Sequence, residues 1–170
     1  MDLKNYIRDI PDFPKPGILF KDITPLLAAP EAMQYAVDQL CEHYQGHKID
    51  AIAAAEARGF LFSSPMAMRM KVPLVPLRKP GKLPYQTHAL KYDLEYGSAE
   101  LHVHVDGIPT GAKVLMVDDL LATGGTLKAA CQLIEKAGGE VASCAVVIEL
   151  GFLKGRDILQ PYDVYSLLEF

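Results

Sequence analysis

The chain has 170 residues, of which 50% are hydrophobic and 22% are charged, and its formal net charge is -4 at pH 7. This length fits one compact domain with a substantial core, and the acidic balance argues against a general nucleic-acid binder, because such a protein needs a basic face. No window approaches the roughly 20 apolar residues of a membrane span and the N-terminus is charged, so we expect a cytoplasmic protein that binds neither membranes nor nucleic acid.

The first half of the chain alternates predicted helices with a strand after an irregular start. Residues 2–10 fit a short amphipathic helix, which Pro11 ends. Residues 32–43 carry apolar side chains at helical spacing. Residues 49–55 then predict a buried strand, and a turn leads from it into a helix over about residues 60–70.

The second half continues the alternation after a long interruption. Residues 72–80 predict a short strand, whereas residues 80–97 combine prolines, glycines and polar residues without a sustained period. We expect a long mobile loop there, and such loops are often lids. Residues 99–107 alternate like a strand.

The last third of the chain contains two apolar strands and one helix. Residues 114–117 predict a central strand, a helix begins at Thr126, and residues 141–150 predict another strand. The whole pattern is typical of an α/β fold with a central, mostly parallel sheet flanked by helices. In such folds, ligands bind at the carboxyl ends of the strands.

Two adjacent acids and a small-residue loop follow the central strand in the sequence VLMVDDLLATGGT. A loop of this composition at a helix N-terminus presents backbone N–H groups and hydroxyls to a phosphate. Asp118 and Asp119 would repel a phosphate, but carboxylates accept hydrogen bonds from vicinal sugar hydroxyls. A sugar with a 5′-phosphate satisfies both requirements. The alternative is that the acids only end the strand and the loop is an ordinary turn.

The sequence VLMVDDLLATGGT resembles the phosphoribosyl-pyrophosphate signature of the type I phosphoribosyltransferase family, and in particular of members that use adenine. Further similar blocks follow one another in the family's order: PDFPKPGILFKDITPLL, EARGFLF, PLRKPGKLP, YDLEYG and VVIELGFLKGRD. The resemblance implies a single phosphoribosyltransferase domain over residues 1–170. It also implies an N-terminal hood at about residues 1–30 and a flexible loop at about residues 79–97.

The implied reaction joins adenine to 5-phosphoribosyl 1-pyrophosphate and gives AMP and pyrophosphate, through a transition state with oxocarbenium character. The resemblance also implies a homodimer and Mg²⁺ carried mainly by phosphoribosyl pyrophosphate, because the sequence offers no dedicated metal site. One alternative is the same reaction with xanthine or hypoxanthine. Another is a non-catalytic regulator that senses phosphoribosyl pyrophosphate, against which the acidic charge argues.

The resemblance assigns residues to each part of the phosphoribosyl ligand. Asp118 and Asp119 would hold the ribose hydroxyls and favour the developing positive charge on the sugar. The ribose 5-phosphate would also be held by the loop residues Ala122, Thr123, Gly124, Gly125 and Thr126. The pyrophosphate would meet Arg58, Arg78, Lys79 and Lys82. Without the resemblance, the cations of LRKPGK would be read as a solvated turn.

The remaining assignments concern the base and its proton. The resemblance implies adenine recognition by Leu19, Phe20, Arg58 and Leu150, with Phe20 stacking on the base, although an isolated aromatic residue would be read as core. Glu95 would transfer a proton from adenine when the loop closes over the site, although a lone glutamate in a loop is usually only solvated.

Several residues carry no functional assignment. His102 and His104 share one face of a strand, but without a third ligand we read them as ordinary strand positions. We expect Cys41, Cys131 and Cys144 to be buried thiols rather than disulfide or zinc ligands. Residues 63–65 read Ser-Ser-Pro where the family usually has Gly, which adds a side chain where packing is close.

Overall fold

The computed structural model describes residues 1–93 and 97–170, and its centre is a five-stranded sheet. Each pair of neighbouring strands is parallel. In spatial order the strands are β4 (Leu74–Leu77), β3 (Ala51–Ala55), β7 (Lys113–Leu121), β8 (Glu140–Glu149) and β9 (Val164–Glu169). The predicted α/β fold with a mostly parallel sheet is therefore confirmed.

Helices cover both faces of this sheet. They are α1 (Thr24–Ala28), α2 (Pro30–His43), α3 (Gly59–Met70), α4 (Gly125–Lys136) and α5 (Gly155–Leu159). Along β7, Val114 and Met116 pack in the cluster that contains α4, whereas Leu115 and Val117 pack in the cluster that contains α2 and α3. Because successive strand residues point to opposite faces, the part of a strand that is covered on both sides has to be apolar, as Val114–Val117 are.

The predicted helix over residues 2–10 is wrong for most of its length. A 3-10 turn covers Leu3–Tyr6, and the chain then forms strand β1 (Arg8–Pro11). This strand pairs antiparallel with β2 (Leu19–Asp22), so that Ile10 lies opposite Phe20. The pairing with a segment ten residues downstream outweighs a weak local helical pattern, and Pro11 is tolerated at the edge of a two-stranded sheet.

Residues 80–97 also differ from the irregular loop expected for them. They include β5 (Thr87–Asp93), which pairs antiparallel with β6 (Ser98–His104) in a separate two-stranded sheet. The strand predicted over residues 99–107 is thus present, with a partner that composition did not reveal. An isolated bridge between Arg78 and His102 joins this hairpin to the end of β4.

The unusual Ser63 lies inside α3 and is completely buried. Its hydroxyl has no hydrogen-bond partner among the described residues. The helix therefore forms despite the added side chain, but with an unsatisfied polar atom in its packed face. The three cysteines are buried and free, as expected, and the Sγ atoms of Cys131 and Cys144 lie 3.4 Å apart.

None of the helices between residues 1 and 93 or between residues 97 and 170 combines the length and the apolar character that a membrane span needs.

Candidate functional site

A cavity of about 450 Å³ opens where the carboxyl ends of β3 and β7 meet. It is lined by Glu56, Ala57, Arg58 and residues 118–127. This is the position at which ligands of parallel α/β sheets bind. The residues on either side of it come from segments that are about 60 positions apart in sequence, so the parallel register of the two strands is what assembles the site.

The loop between β7 and α4 forms one wall of the cavity. β7 ends at Leu121, α4 begins at Gly125, and Gly124 between them has a φ of 87°, a left-handed conformation that favours glycine. No side chain of residues 1–93 or 97–170 caps the helix, and its first turn contains no acid. The first N–H groups of α4 and the positive end of its dipole are therefore available to an anion in the cavity.

The two acids lie within β7, not beyond its end as their position in the sequence suggested. Asp119 is 4% exposed, and the Asp118 carboxylate accepts a 2.9 Å hydrogen bond from the Asp119 backbone N–H. Burial raises the pKa of Asp118 well above its usual range, and the charge of Asp119 raises it further. A Cβ atom at Gly59 would lie 3.0 Å from Asp118 Oδ1, so the start of α3 needs glycine to pack against this carboxylate.

Arg58 contacts both the acid pair and the N-terminal strands. Its Nε donates a 2.6 Å hydrogen bond to Oδ2 of Asp119, while half of its side chain stays exposed. Its Cζ lies 5.8 Å from the ring centroid of Phe20. The structure therefore brings Arg58 and Asp119 together in the cavity lining and places Phe20, which is not among the lining residues, beside Arg58.

Glu56 is a residue of the site that sequence reasoning missed. Its carboxylate accepts 2.6 Å and 3.1 Å hydrogen bonds from Arg78 Nε and from the Lys79 backbone N–H. Burial opposes ionisation of Glu56, but these two donors outweigh it and lower the pKa of Glu56. The available signal was its position directly after a buried strand, at the same sheet edge as the acid pair.

The predicted pyrophosphate cations form two groups. Arg58 lines the cavity, whereas Arg78, Lys79 and Lys82 follow β4 and are not among its lining residues. A backbone hydrogen bond from Lys82 to the Lys79 carbonyl shapes the turn between them. Glu56 connects the two groups, because it lines the cavity and also binds Arg78.

The predicted base contacts are divided between strand β2 and the core. Leu19 and Phe20 belong to β2, where Phe20 packs edge to face against Phe13 at a centroid distance of 5.1 Å. Leu19 is half exposed. Leu150 is buried in the core, outside the cavity lining, and its N–H donates to the Leu121 carbonyl. A base contact by Leu150 stays a prediction without a visible approach to the cavity.

Glu95 lies outside the described residues, but strand β5, which precedes it, reaches the start of α4. The Tyr92 hydroxyl lies 3.5 Å from Thr126 Oγ1. A Cβ atom at Gly125 would lie 3.9 Å from the Asp93 carbonyl oxygen. The hairpin therefore delivers the chain to the mouth of the cavity two residues before Glu95.

The histidines of the hairpin have local partners. The His102 ring bonds Thr87 Oγ1 at 2.9 Å and Glu100 Oε1 at 3.0 Å, and His104 Nε2 accepts from the Tyr85 N–H at 3.4 Å. Residues 1–93 and 97–170 contain no group of three or more His, Cys, Asp or Glu side chains that could hold a metal ion.

Known proteins are similar to this chain over nearly its whole length. A family profile described as the phosphoribosyl transferase domain matches residues 24–168. An adenine phosphoribosyltransferase of Rhodopirellula baltica is 56% identical over 170 residues, which are 100% of this chain and 82% of that protein. An adenine phosphoribosyltransferase of Methylococcus capsulatus is 57% identical over 168 residues, 99% of this chain and 98% of that protein.

Solved structures agree with these relatives. The crystal structure of adenine phosphoribosyltransferase from Thermoanaerobacter pseudethanolicus has a TM-score of 0.96 at 51% identity, covering 99% of this chain and 98% of that chain. The Saccharomyces cerevisiae protein of the same name, complexed with an imino-altritol bisphosphate and adenine, has a TM-score of 0.92 at 40% identity, covering 98% and 97%. These likenesses confirm the type I fold that the sequence predicted.

Proposed function

The chain belongs to the phosphoribosyltransferase family, and on that premise we propose that it is an adenine phosphoribosyltransferase of purine salvage. It transfers the phosphoribosyl group of phosphoribosyl pyrophosphate to adenine, and the products are AMP and pyrophosphate. The observation that supports this most is the cavity in which a carboxylate pair and an uncapped helix N-terminus face the same space. One wall suits sugar hydroxyls and the other a terminal phosphate.

The phosphoribosyl group is the anchor of the reaction. Residues 122–126 hold the 5-phosphate through backbone N–H groups and the hydroxyls of Thr123 and Thr126. The carboxylates of Asp118 and Asp119 accept hydrogen bonds from the ribose hydroxyls. As the bond to pyrophosphate breaks, positive charge develops on the sugar, and a fixed negative carboxylate nearby stabilises that charge more than the ground state.

The departing pyrophosphate needs positive charge. Arg58, Arg78, Lys79 and Lys82 supply it, and Glu56 holds Arg78 and the Lys79 backbone in place. Family members generally use Mg²⁺ with phosphoribosyl pyrophosphate. We propose that the metal arrives with that substrate, because Glu56 and Asp119 are already paired with arginines and do not form a protein cage. The bound metal neutralises charge on the leaving group.

Adenine binds against the hood, where Phe20 offers an aromatic face beside the ribose site. Leu19, Arg58 and Leu150 complete the proposed base contacts, the first two partly through backbone groups. Glu95 takes the proton that adenine must lose as its bond to the sugar forms. We propose that residues 79–97 act as the lid that excludes water during this step, since water would hydrolyse the activated sugar.

Three further features complete the proposal. The chain works as one domain over residues 1–170, in which residues 1–30 form the hood. It assembles as a homodimer and acts in the cytoplasm. Adenine, phosphoribosyl pyrophosphate, AMP and pyrophosphate are its ligands, and nucleic acid and membranes are not.

The decisive experiment measures pyrophosphate release with Mg²⁺, phosphoribosyl pyrophosphate and each of four purines: adenine, guanine, hypoxanthine and xanthine. We expect release that depends on adenine and falls at least a hundredfold in Asp119→Asn, since an amide cannot provide the negative charge. Release with hypoxanthine or xanthine instead would favour the alternative base. No release with any purine would favour a non-catalytic sensor.

A further inference from the structure

The Arg58 side chain lies between the two halves of the candidate site. On one side its Nε is 2.6 Å from Oδ2 of Asp119, the carboxylate proposed for the ribose. On the other side its Cζ is 5.8 Å from the ring centroid of Phe20, the aromatic face proposed for adenine. One planar cation therefore contacts two protein groups, one proposed to bind the ribose and the other proposed to bind adenine.

We propose that Arg58 is a positioning residue that couples the two substrates: its contacts with Asp119 and Phe20 hold the base pocket closed, and the phosphoribosyl ligand releases it and thereby opens the base pocket. This inference rests on the proposed function. The ribose hydroxyls and the guanidinium compete for the same carboxylate of Asp119. Because a guanidinium is rigid, leaving Asp119 also moves it away from the face of Phe20, and adenine then takes that place.

The exposure of the two partners explains why this exchange is feasible. The Asp119 side chain is 6% exposed, so an unpaired carboxylate there is unfavourable and needs a donor at all times. The Arg58 side chain is 51% exposed, so it moves into solvent or toward pyrophosphate without a large desolvation cost. Asp119 therefore exchanges one donor for another, and Arg58 is the mobile partner.

The coupling is measured with ribose 5-phosphate, which carries the ribose hydroxyls and the phosphate but cannot react with adenine. Titration calorimetry of adenine is performed with and without saturating ribose 5-phosphate. We expect ribose 5-phosphate to tighten adenine binding about tenfold, which corresponds to about 1.4 kcal/mol of coupling free energy. Linkage requires that adenine tighten ribose 5-phosphate binding by the same factor.

Arg58→Gln separates this role from simple attraction of anions. In this variant we expect the coupling to fall below twofold and ribose 5-phosphate to bind about threefold tighter to the free chain, because Asp119 has lost its competing partner. A cation that only attracts the phosphate would give weaker binding. Arg78→Gln is the matched control: it removes the same kind of charge but leaves Asp119 and Phe20 untouched, so the tenfold coupling remains.

Arg58→Lys provides a second measurement that does not depend on the folding of the glutamine variant. A lysine still pairs with Asp119 but lacks the planar group that faces Phe20, so the coupling falls to about threefold. Tenfold coupling in both Arg58 variants overturns the inference. If the natural chain binds adenine and ribose 5-phosphate independently, the inference is overturned but the proposed function is not. If the natural chain binds neither ligand, both the inference and the proposed function are overturned.

Discussion

Gly155, the first residue of α5, is packed against the outside of the phosphate loop. A Cβ atom at this position would lie 2.3 Å from the Ala122 carbonyl oxygen and 2.7 Å from Leu121 Cδ1. Ordinary contacts between such atoms are about 3.5 Å, so Gly155→Ala moves the loop backbone by about 1 Å. Overpacking of this kind costs about 1 to 3 kcal/mol.

We expect Gly155→Ala to lower the free energy of unfolding by about 2 kcal/mol and to raise KM for phosphoribosyl pyrophosphate about tenfold, because displaced amides no longer match the phosphate. Thermal unfolding and initial rates of pyrophosphate release measure the two effects. KM for phosphoribosyl pyrophosphate should rise more than KM for adenine, since the substitution does not displace strand β2, where the proposed adenine contacts Leu19 and Phe20 lie.

Gly151→Ala is the matched control for this prediction. Its added Cβ would lie 2.6 Å from Oε1 of Glu169, which is the end of a flexible exposed side chain and not loop backbone. We expect that side chain to rotate away, so that stability and KM stay close to those of the natural chain. If Gly155→Ala behaved like Gly151→Ala in both measurements, the role of this close contact in setting the loop position would be refuted.

Four further predictions follow from individual residues. Ser63→Ala raises the free energy of unfolding by about 1 kcal/mol in denaturant titration, since it removes a buried hydroxyl without a partner. Glu56→Gln raises KM for phosphoribosyl pyrophosphate several-fold in initial-rate assays, because an amide holds Arg78 less firmly. Glu95→Gln lowers turnover far more than substrate affinity in steady-state and binding assays, and equal turnover would contradict its proposed role. Hydrogen bonds, first from the backbone N–H of Thr24, lower the pKa of Asp22 from 3.8 to about 2. The stabilising contribution of Asp22 is therefore complete above about pH 4 and is lost as the pH falls toward 2. The free energies of unfolding of the natural chain and of Asp22→Asn should accordingly converge near pH 2.

Among the elements that were predicted correctly, strands β3 and β7 have a sequence pattern that is dictated by burial on both faces. Strand β3 consists of Ala51–Ala55, all buried, and β7 is apolar from Val114 to Val117, so a continuous apolar run identified both. Helix α4 shows regular helical spacing and follows a glycine-rich turn. Local sequence was sufficient because one pattern of apolar residues, continuous in the strands and at helical spacing in α4, identifies each of these segments.

The errors concern strands whose stability depends on a partner. β1 pairs with β2 and β5 pairs with β6, each in a two-stranded sheet, and neither β1 nor β5 contains a fully buried residue. Such strands carry little periodic signal, because cross-strand pairing rather than burial specifies them. The hairpin of β5 and β6 is also fixed by the bridge from β4, which composition does not reveal.

The site shows the same division between local and long-range information. The position of the loop between β7 and α4 was predictable from its small-residue composition and its place before a helix, whereas its binding of phosphate stays a prediction. The pairs Arg58–Asp119 and Glu56–Arg78 were not predicted, because each joins residues that are far apart in sequence and that meet only through the register of the parallel sheet. Sequence reasoning named three of these four residues but paired none of them.

These contacts also explain how two adjacent acids are compatible with an anion site. Asp119 is neutralised by Arg58, and burial together with the neighbouring carboxylate favours the protonated form of Asp118 by raising its pKa. A cavity with these two acids therefore repels a phosphate far less than two free carboxylates would, while the N-terminus of α4 attracts it. A phosphoribosyl ligand that releases Arg58 from Asp119 exposes a negative carboxylate beside the sugar only after the phosphate is bound. The negative charge of Asp119 is thus paired with Arg58 while the phosphate binds, when a free charge would repel it. The same charge becomes available beside the sugar when it can stabilise the oxocarbenium transition state.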